Sequence, residues 1–220
     1  MADLVIFGAS DQGVCVLDLV VRAGLDRVVG FLDDGRPPGT DVSGVPVLGG
    51  LADAADLRRS GAFDRMIVAV GDNAARRGIV ERLRTADADL AFATAVDPTA
   101  VVCRGAVVGE GAVVLAGAVV GPEARVGDHA LLGVRSSLDH HGSLGDFASL
   151  APAAATGGRV TIGTCTAIGI GATVNHGLTI GEHTVIGAGA TVVESIGDRV
   201  VALGTPGRVV RVRAEGERYL

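Results

Sequence analysis

The sequence contains no lysine and no tryptophan, and one tyrosine and five phenylalanines hold its aromatic content to 3% of 220 residues. With so few stacking side chains and a formal charge of −6, it lacks both the platforms and the basic field that nucleic-acid binding needs. The same charge excludes an anionic membrane surface as partner. Although 48% of the residues are hydrophobic, no run approaches the ~20 consecutive apolar residues of a membrane-spanning helix. Residues 1–8 carry no basic segment and no small-residue cleavage site, so they read as the first strand of a domain and the expected location is cytoplasmic. Cys15, Cys103 and Cys165 lie far apart without metal-ligand spacing. They read as free, buried thiols in a reducing compartment, and no metal is expected.

What the chain has in abundance is a six-residue period. Of the seventeen positions taken every sixth residue from Val96 to Val192, only Thr156 is not aliphatic. Four residues after each aliphatic position stands a residue that is mostly small, as at Ala112, Ala118, Ala124, Ala130, Ala148 and Ala172. The residue directly after the aliphatic one is often glycine, as at Gly109, Gly121, Gly127, Gly145, Gly163 and Gly181, read here as permissive turn backbone. A period of six fits neither a 3.6-residue helix nor a two-residue alternation. It fits short strands joined by tight turns, with one large and one small side chain pointing inward per hexad. Three hexads make one triangular coil, and stacked coils make a left-handed parallel β-helix. No inserted loop interrupts the repeat.

The first part has a different grammar. The apolar run Leu4–Phe7 enters a glycine turn, Gly8-Ala9-Ser10-Asp11-Gln12-Gly13, followed by a helical stretch with Val16, Leu19 and Val20 on one face. A second strand at 28–32 ends on Asp33-Asp34, residues 51–59 read as helix, a third strand at 66–70 ends on Gly71-Asp72-Asn73, and residues 73–84 read as helix. Alternating β and α implies a small parallel sheet, Rossmann-like in organisation. Its three strand ends would meet on one edge, with the glycine turn able to hold a phosphate at a helix N-terminus. The chain therefore divides into an α/β domain at 1–94 and a β-helix with a short C-terminal tail at 95–220.

This order of parts resembles the hexapeptide-repeat sugar O- and N-acyltransferases of the sialic acid O-acetyltransferase and UDP-bacillosamine N-acetyltransferase type. The markers are Gly8-Ala9-Ser10, Gly30-Phe31-Leu32-Asp33-Asp34, Val70-Gly71-Asp72-Asn73 with Arg76, Asp139-His140, Gly145-Asp146-Phe147 and Gly204-Thr205-Pro206. The resemblance implies transfer of an acetyl or other acyl group from acyl-CoA to an amino or hydroxyl group of a nucleotide-linked amino sugar, in a homotrimer with sites in the clefts between prisms. It implies His140 as general base supported by Asp139, with the Gly158 N–H on the thioester carbonyl. The nucleotide sugar would be held by Gly8, Ser10, Gln12, Gly13, Asp33, Asp34, Gly71, Asn73 and Arg76. Coenzyme A would be held by Ser149, Gly158, His176, Thr205 and Arg208. A neutral imidazole near pH 7 suits proton removal from an attacking amine or hydroxyl, and an aligned backbone donor suits the developing oxyanion.

Three positions depart from the family pattern. Gln12 stands where relatives carry a loop histidine, Ser149 where a second active-site histidine is expected, and Asn175-His176 where Ile-Pro is usual. A free amino sugar or specialised metabolite thus stays open as acceptor, and so does a non-catalytic nucleotide-binding trimer. His140 and His176, thirty-six residues apart, match one spacing of hexapeptide carbonic anhydrases, but the third ligand would fall at Gly181. His141 reads as an exposed neighbour or a supporting group, and His129 and His183 as surface residues.

Overall fold

In the computed structural model of the protein, residues 1–214 and 216–219 are described. The N-terminal part forms strands β1 (Asp3–Phe7), β2 (Arg27–Leu32), β3 (Asp41–Val42), β4 (Val45–Gly49), β5 (Arg65–Val68) and β6 (Ala91–Phe92). These lie in the order β3-β4-β2-β1-β5-β6, parallel throughout except for the β3–β4 hairpin. Helices α1 (Asp11–Ala23), α2 (Ala54–Arg59) and α3 (Asn73–Ala86) flank the sheet. α1 buries Val16, Leu17, Leu19 and Val20 and ends at Gly24, whose left-handed φ of 59° closes the last turn. The stretch read as one helix at 51–59 starts as a 3-10 turn over Leu51–Asp53 before α2.

From Ala95 the chain changes to seventeen two-residue strands, β7 (Ala95–Val96) through β23 (Thr191–Val192), one per hexad. Each pairs in parallel with the strand eighteen residues away, as Val113 with Leu131 and Val119 with Ser137. The result is a three-faced prism. The first face carries Val113, Leu131, Ser149 and Ala167; the second Val119, Ser137, Ala155 and Thr173; the third Arg125, Ser143, Thr161 and Thr179. The aliphatic register fills the interior: Leu132, Leu138, Leu150, Ile168, Ile180 and Ile186 are all 0% exposed. Burial of each stabilises by roughly 1.5–3 kcal/mol relative to exposure. A hairpin of β24 (Val200–Leu203) and β25 (Arg208–Val212) closes the first face.

Two expectations about the repeat need correction. The glycines after the aliphatic positions are there for contact, not for dihedral freedom. A methyl group on Gly121 would sit 2.6 Å from the backbone nitrogen of His140 in the next coil. Left-handed backbone instead falls two residues later, at Glu123, His129, His141, Phe147 and Arg159 among others. The second correction concerns His129 and His183, which are buried, at 3% and 5% exposure, because this third-to-first corner is covered. α3 covers its lower coils, and Arg213 donates to the His183 carbonyl at 2.8 Å. Cys15 is also exposed, unlike Cys165.

The α/β domain sits on the first face and on that corner. Leu17 of α1 packs in one cluster with Val113, Leu115 and Leu131 of the prism, while Phe147 packs with Val80, Leu83 and Phe92.

Candidate active site

The second-to-third corner carries the turns Asp139-His140-His141-Gly142, Gly157-Gly158-Arg159-Val160 and Asn175-His176-Gly177-Leu178, stacked one coil apart. His140 is exposed on it, with its ring over Gly158. A methyl group on Gly158 would lie 2.2 Å from His140 Nε2, so only glycine lets the imidazole occupy this place. The Gly158 carbonyl accepts from Gly177, but among the described residues nothing accepts from its N–H. On the third-to-first corner the same N–H is satisfied, because Glu110 donates to Asp128, Asp128 to Asp146 and Glu182 to Asp198, each one coil further on. The coil above Gly158 offers His176 instead of an aspartate, and a donor is left facing outward beside the imidazole.

Asp139 is placed differently from the expected support of the ring. Its Oδ1 accepts from the backbone N–H of His140 at 2.6 Å, so it fixes the turn rather than the imidazole. The side chain that meets the ring is His141, Nδ1 to Nδ1 at 3.2 Å, with the two rings at 88°. In the following coil, Thr156 explains its break in the aliphatic register. Its hydroxyl accepts the Asp139 N–H at 3.1 Å, and the regular ladder there is reduced to Ser137 with Ala155.

The strand ends of the α/β domain gather Gly8, Ser10, Gln12, Gly13, Asp33, Asp34 and Gly71. Gly8 has φ +106° and Gly13 approaches it so closely that a methyl there would lie 2.0 Å from the Gly8 carbonyl oxygen. Ser10 precedes α1 as its cap residue without a side-chain capping bond, leaving the first-turn N–H groups open to an anion. Asp33 accepts from Ala9 at 2.7 Å and from Gly35 at 2.8 Å, and Asp34 from Leu51 at 2.7 Å, so one role of each carboxylate is to shape this edge. Gln12 Nε2 is buried without a partner.

Asn73, Arg76 and Ser149 lie in the seam between domain and prism. Arg76, 3% exposed, donates to the carbonyls of His129, Val70, Gly71 and Phe147 and to Asn73 Oδ1. Burial pulls its pKa below the ordinary arginine value. Asn73 Nδ2 donates to Ser149 Oγ and to the Thr166 carbonyl, both at 3.1 Å. Sequence reasoning missed Tyr219, whose hydroxyl reaches the Gly71 carbonyl at 3.2 Å and Ser149 Oγ at 3.4 Å; burial raises its pKa. A lone tyrosine in a polar tail gives no periodic signal. Beside this seam the first face holds an apolar hollow of about 400 Å³, bordered by Gln12, Gly71, Leu131, Ile168 and Tyr219.

Thr205 and Arg208 stand apart from both groups, at the turn and start of the closing hairpin. Thr205 Oγ1 contacts Thr191 at 3.3 Å, and Arg208 faces Glu194 at 3.8 Å. The structure thus brings together His140, Asp139, Gly158 and His176 on one corner. It places Gln12, Gly71 and Ser149 on the face opposite that corner. Among the described residues no cluster of three or more His, Cys, Asp or Glu side chains is placed to hold a metal ion. Nor is any helix among them long and apolar enough to cross a membrane.

Residues 3–83 match the model of the PglD N-terminal domain. The whole chain is similar to perosamine N-acetyltransferase from Caulobacter crescentus, solved as a histidine-to-asparagine variant with CoA and GDP-perosamine. Identity is 32% over 95% of this chain and 97% of that one, with a TM-score of 0.90. The chain belongs to the hexapeptide-repeat sugar acyltransferases. Another member of this family, the acetyltransferase domain of PglB from Neisseria gonorrhoeae FA1090 with acetyl coenzyme A, is 32% identical over 94% of this chain and 98% of that one, at a TM-score of 0.87. WeeI from Acinetobacter baumannii AYE is 25% identical over 94% and 99%, at 0.84. No curated protein matches the chain by sequence.

Proposed function

We propose that this sugar acyltransferase moves an acetyl group from acetyl-CoA to the amino group of a nucleotide-linked sugar of the GDP-perosamine kind, within a homotrimer. The observation that carries the reading is the His140–Gly158 pair, a free imidazole nitrogen beside an unpartnered backbone donor. His140 Nε2 takes the proton from the attacking amine as the new N–C bond forms. The Gly158 N–H bonds the carbonyl oxygen as charge develops on it. When the C–S bond breaks, the His140 imidazolium returns its proton to the departing sulfur, and free coenzyme A leaves.

The α1 N-terminus with Gly8, Ser10 and Gly13 would take the diphosphate, and Gln12 Nε2 is a buried donor suited to a sugar oxygen. Asp33, Asp34 and Gly71 border the same edge, while Asn73, Arg76 and Ser149 brace it against the prism. Coenzyme A would run up the prism from Gly158 past His176 toward Thr205 and Arg208. Because the nucleotide edge and His140 lie on opposite sides of one prism, a complete site needs two protomers. The first-to-second corner supports such packing, since it stacks Pro98, Ala116, Val134, Pro152, Ile170 and Ala188, with Val134 and Ile170 exposed. Calorimetric titration with GDP, UDP and dTDP tests the acceptor. Binding of one of them supports the reading, and binding of none favours a free amino sugar.

A further inference from the structure

We infer that His141 is a positioning residue for the transfer reaction, fixing the tautomer of His140 as the hydrogen-bond acceptor of its Nδ1–H. The inference rests on the function proposed above for what the base does, but not for where the proton sits.

The two Nδ1 atoms are 3.2 Å apart, so one of them carries a proton and the other accepts it. His140 has only Nε2 left to face a substrate, and a base must present that nitrogen unprotonated. The proton therefore belongs on His140 Nδ1, and His141 Nδ1 is the acceptor. Asp139 does not perform this task, because its carboxylate is turned to the backbone N–H of His140. When His140 takes up a proton during reaction, the same contact becomes a hydrogen bond from an imidazolium. It is then stronger than in the resting enzyme, which is the condition for lowering a barrier.

The turn explains how the pair is made. His141 has φ +55°, and this left-handed backbone brings its ring against that of the residue before it. The same turn position is Glu123 one coil earlier, at φ +60°, and Gly177 two coils later, at φ +71°. Both glutamate and glycine are thus compatible with this turn, which supplies two variants that need not disturb folding. The charged and titratable groups around the pair are Asp139 on its own turn, Glu123 in the coil before, and Arg159 and His176 in the coils after.

Imidazole 15N spectra of the full-length protein and transfer kinetics with acetyl-CoA and an accepted nucleotide amino sugar test this directly. The wild type should hold neutral His140 as the Nδ1–H tautomer. His141→Gly should shift it toward the Nε2–H tautomer and lower kcat roughly 10- to 100-fold, the scale of one hydrogen bond to a charged group. KM and the melting temperature should hold. His141→Glu should recover most of kcat and move the acid limb of the pH profile upward, because a carboxylate favours the protonated imidazole. An unchanged tautomer and kcat in His141→Gly would overturn the assignment, whatever the acceptor proves to be. If the wild type holds the Nδ1–H tautomer yet transfers no acyl group, the proposed function fails while the proton placement stands.

Discussion

At the scale of single residues, what matters is which donors and acceptors the fold leaves open. His129 is buried between Phe92, ring centroids 4.7 Å apart, and Phe147, at 5.1 Å, with both ring nitrogens unpartnered. Burial lowers its pKa from 6.5 to about 4. The unfolded chain therefore binds a proton that the folded one refuses between those values, and the stability this neutral ring permits at pH 7 is lost as pH falls from about 6.5 toward about 4. His129→Phe, which repeats the phenylalanine found at the same turn position as Phe147, should flatten that part of the melting-temperature profile. An unchanged slope would exclude His129 as its source. Gly158→Ala forces the His140 ring away, and transfer should fall at least 100-fold, with little change in melting temperature. His140 was legible in the sequence through the Asp139-His140 marker of the family resemblance. The partner of its ring was not, since the backbone left-handedness that selects His141 over Asp139 has no signature in residue type.

At the scale of the element, the hexad is the unit that reads most clearly. Its large and small inward positions are both set by packing, and both recur every six residues. The reason for its glycines is not legible in the same way, because a close contact between coils is invisible along one coil. Thr156 was visible as an exception, but its purpose depends on a neighbour seventeen residues earlier. Thr156→Val should let Asp139 return to the regular ladder, lowering kcat while leaving thermal stability equal or higher. Equal kcat would mean that the local irregularity has no catalytic part. Leu138→Ala, directly before the Asp139–Gly142 turn and 0% exposed, should cost about 2–5 kcal/mol in denaturant unfolding. In the α/β domain the three central strands are legible because their apolar runs are long. The β3–β4 hairpin is not, because its strands are short and lie at the sheet edge.

At the scale of the whole molecule, the prism separates Gln12, Gly71 and Ser149 from His140 by its own thickness, and in the proposed function the two groups meet across protomers. Ile170, 60% exposed on the apolar corner, is placed to report on this. Ile170→Asp should convert the proposed homotrimer to smaller species in light scattering and abolish transfer, while binding of the nucleotide persists. Transfer by a monomeric variant would place the whole site in one chain. The resemblance implied sites between prisms, but the face on which the α/β domain docks was not readable from the sequence, because it is chosen by Arg76, Asn73 and Leu17. Side chains of those types have many uses.

The most direct test compares wild type and His140→Asn for release of the coenzyme A thiol from acetyl-CoA, driven by a nucleotide-linked amino sugar. The wild type should show acceptor-dependent release and the variant a loss of roughly 10²- to 10⁴-fold, with nucleotide affinity unchanged. Equal rates in the two proteins would exclude His140 as the base.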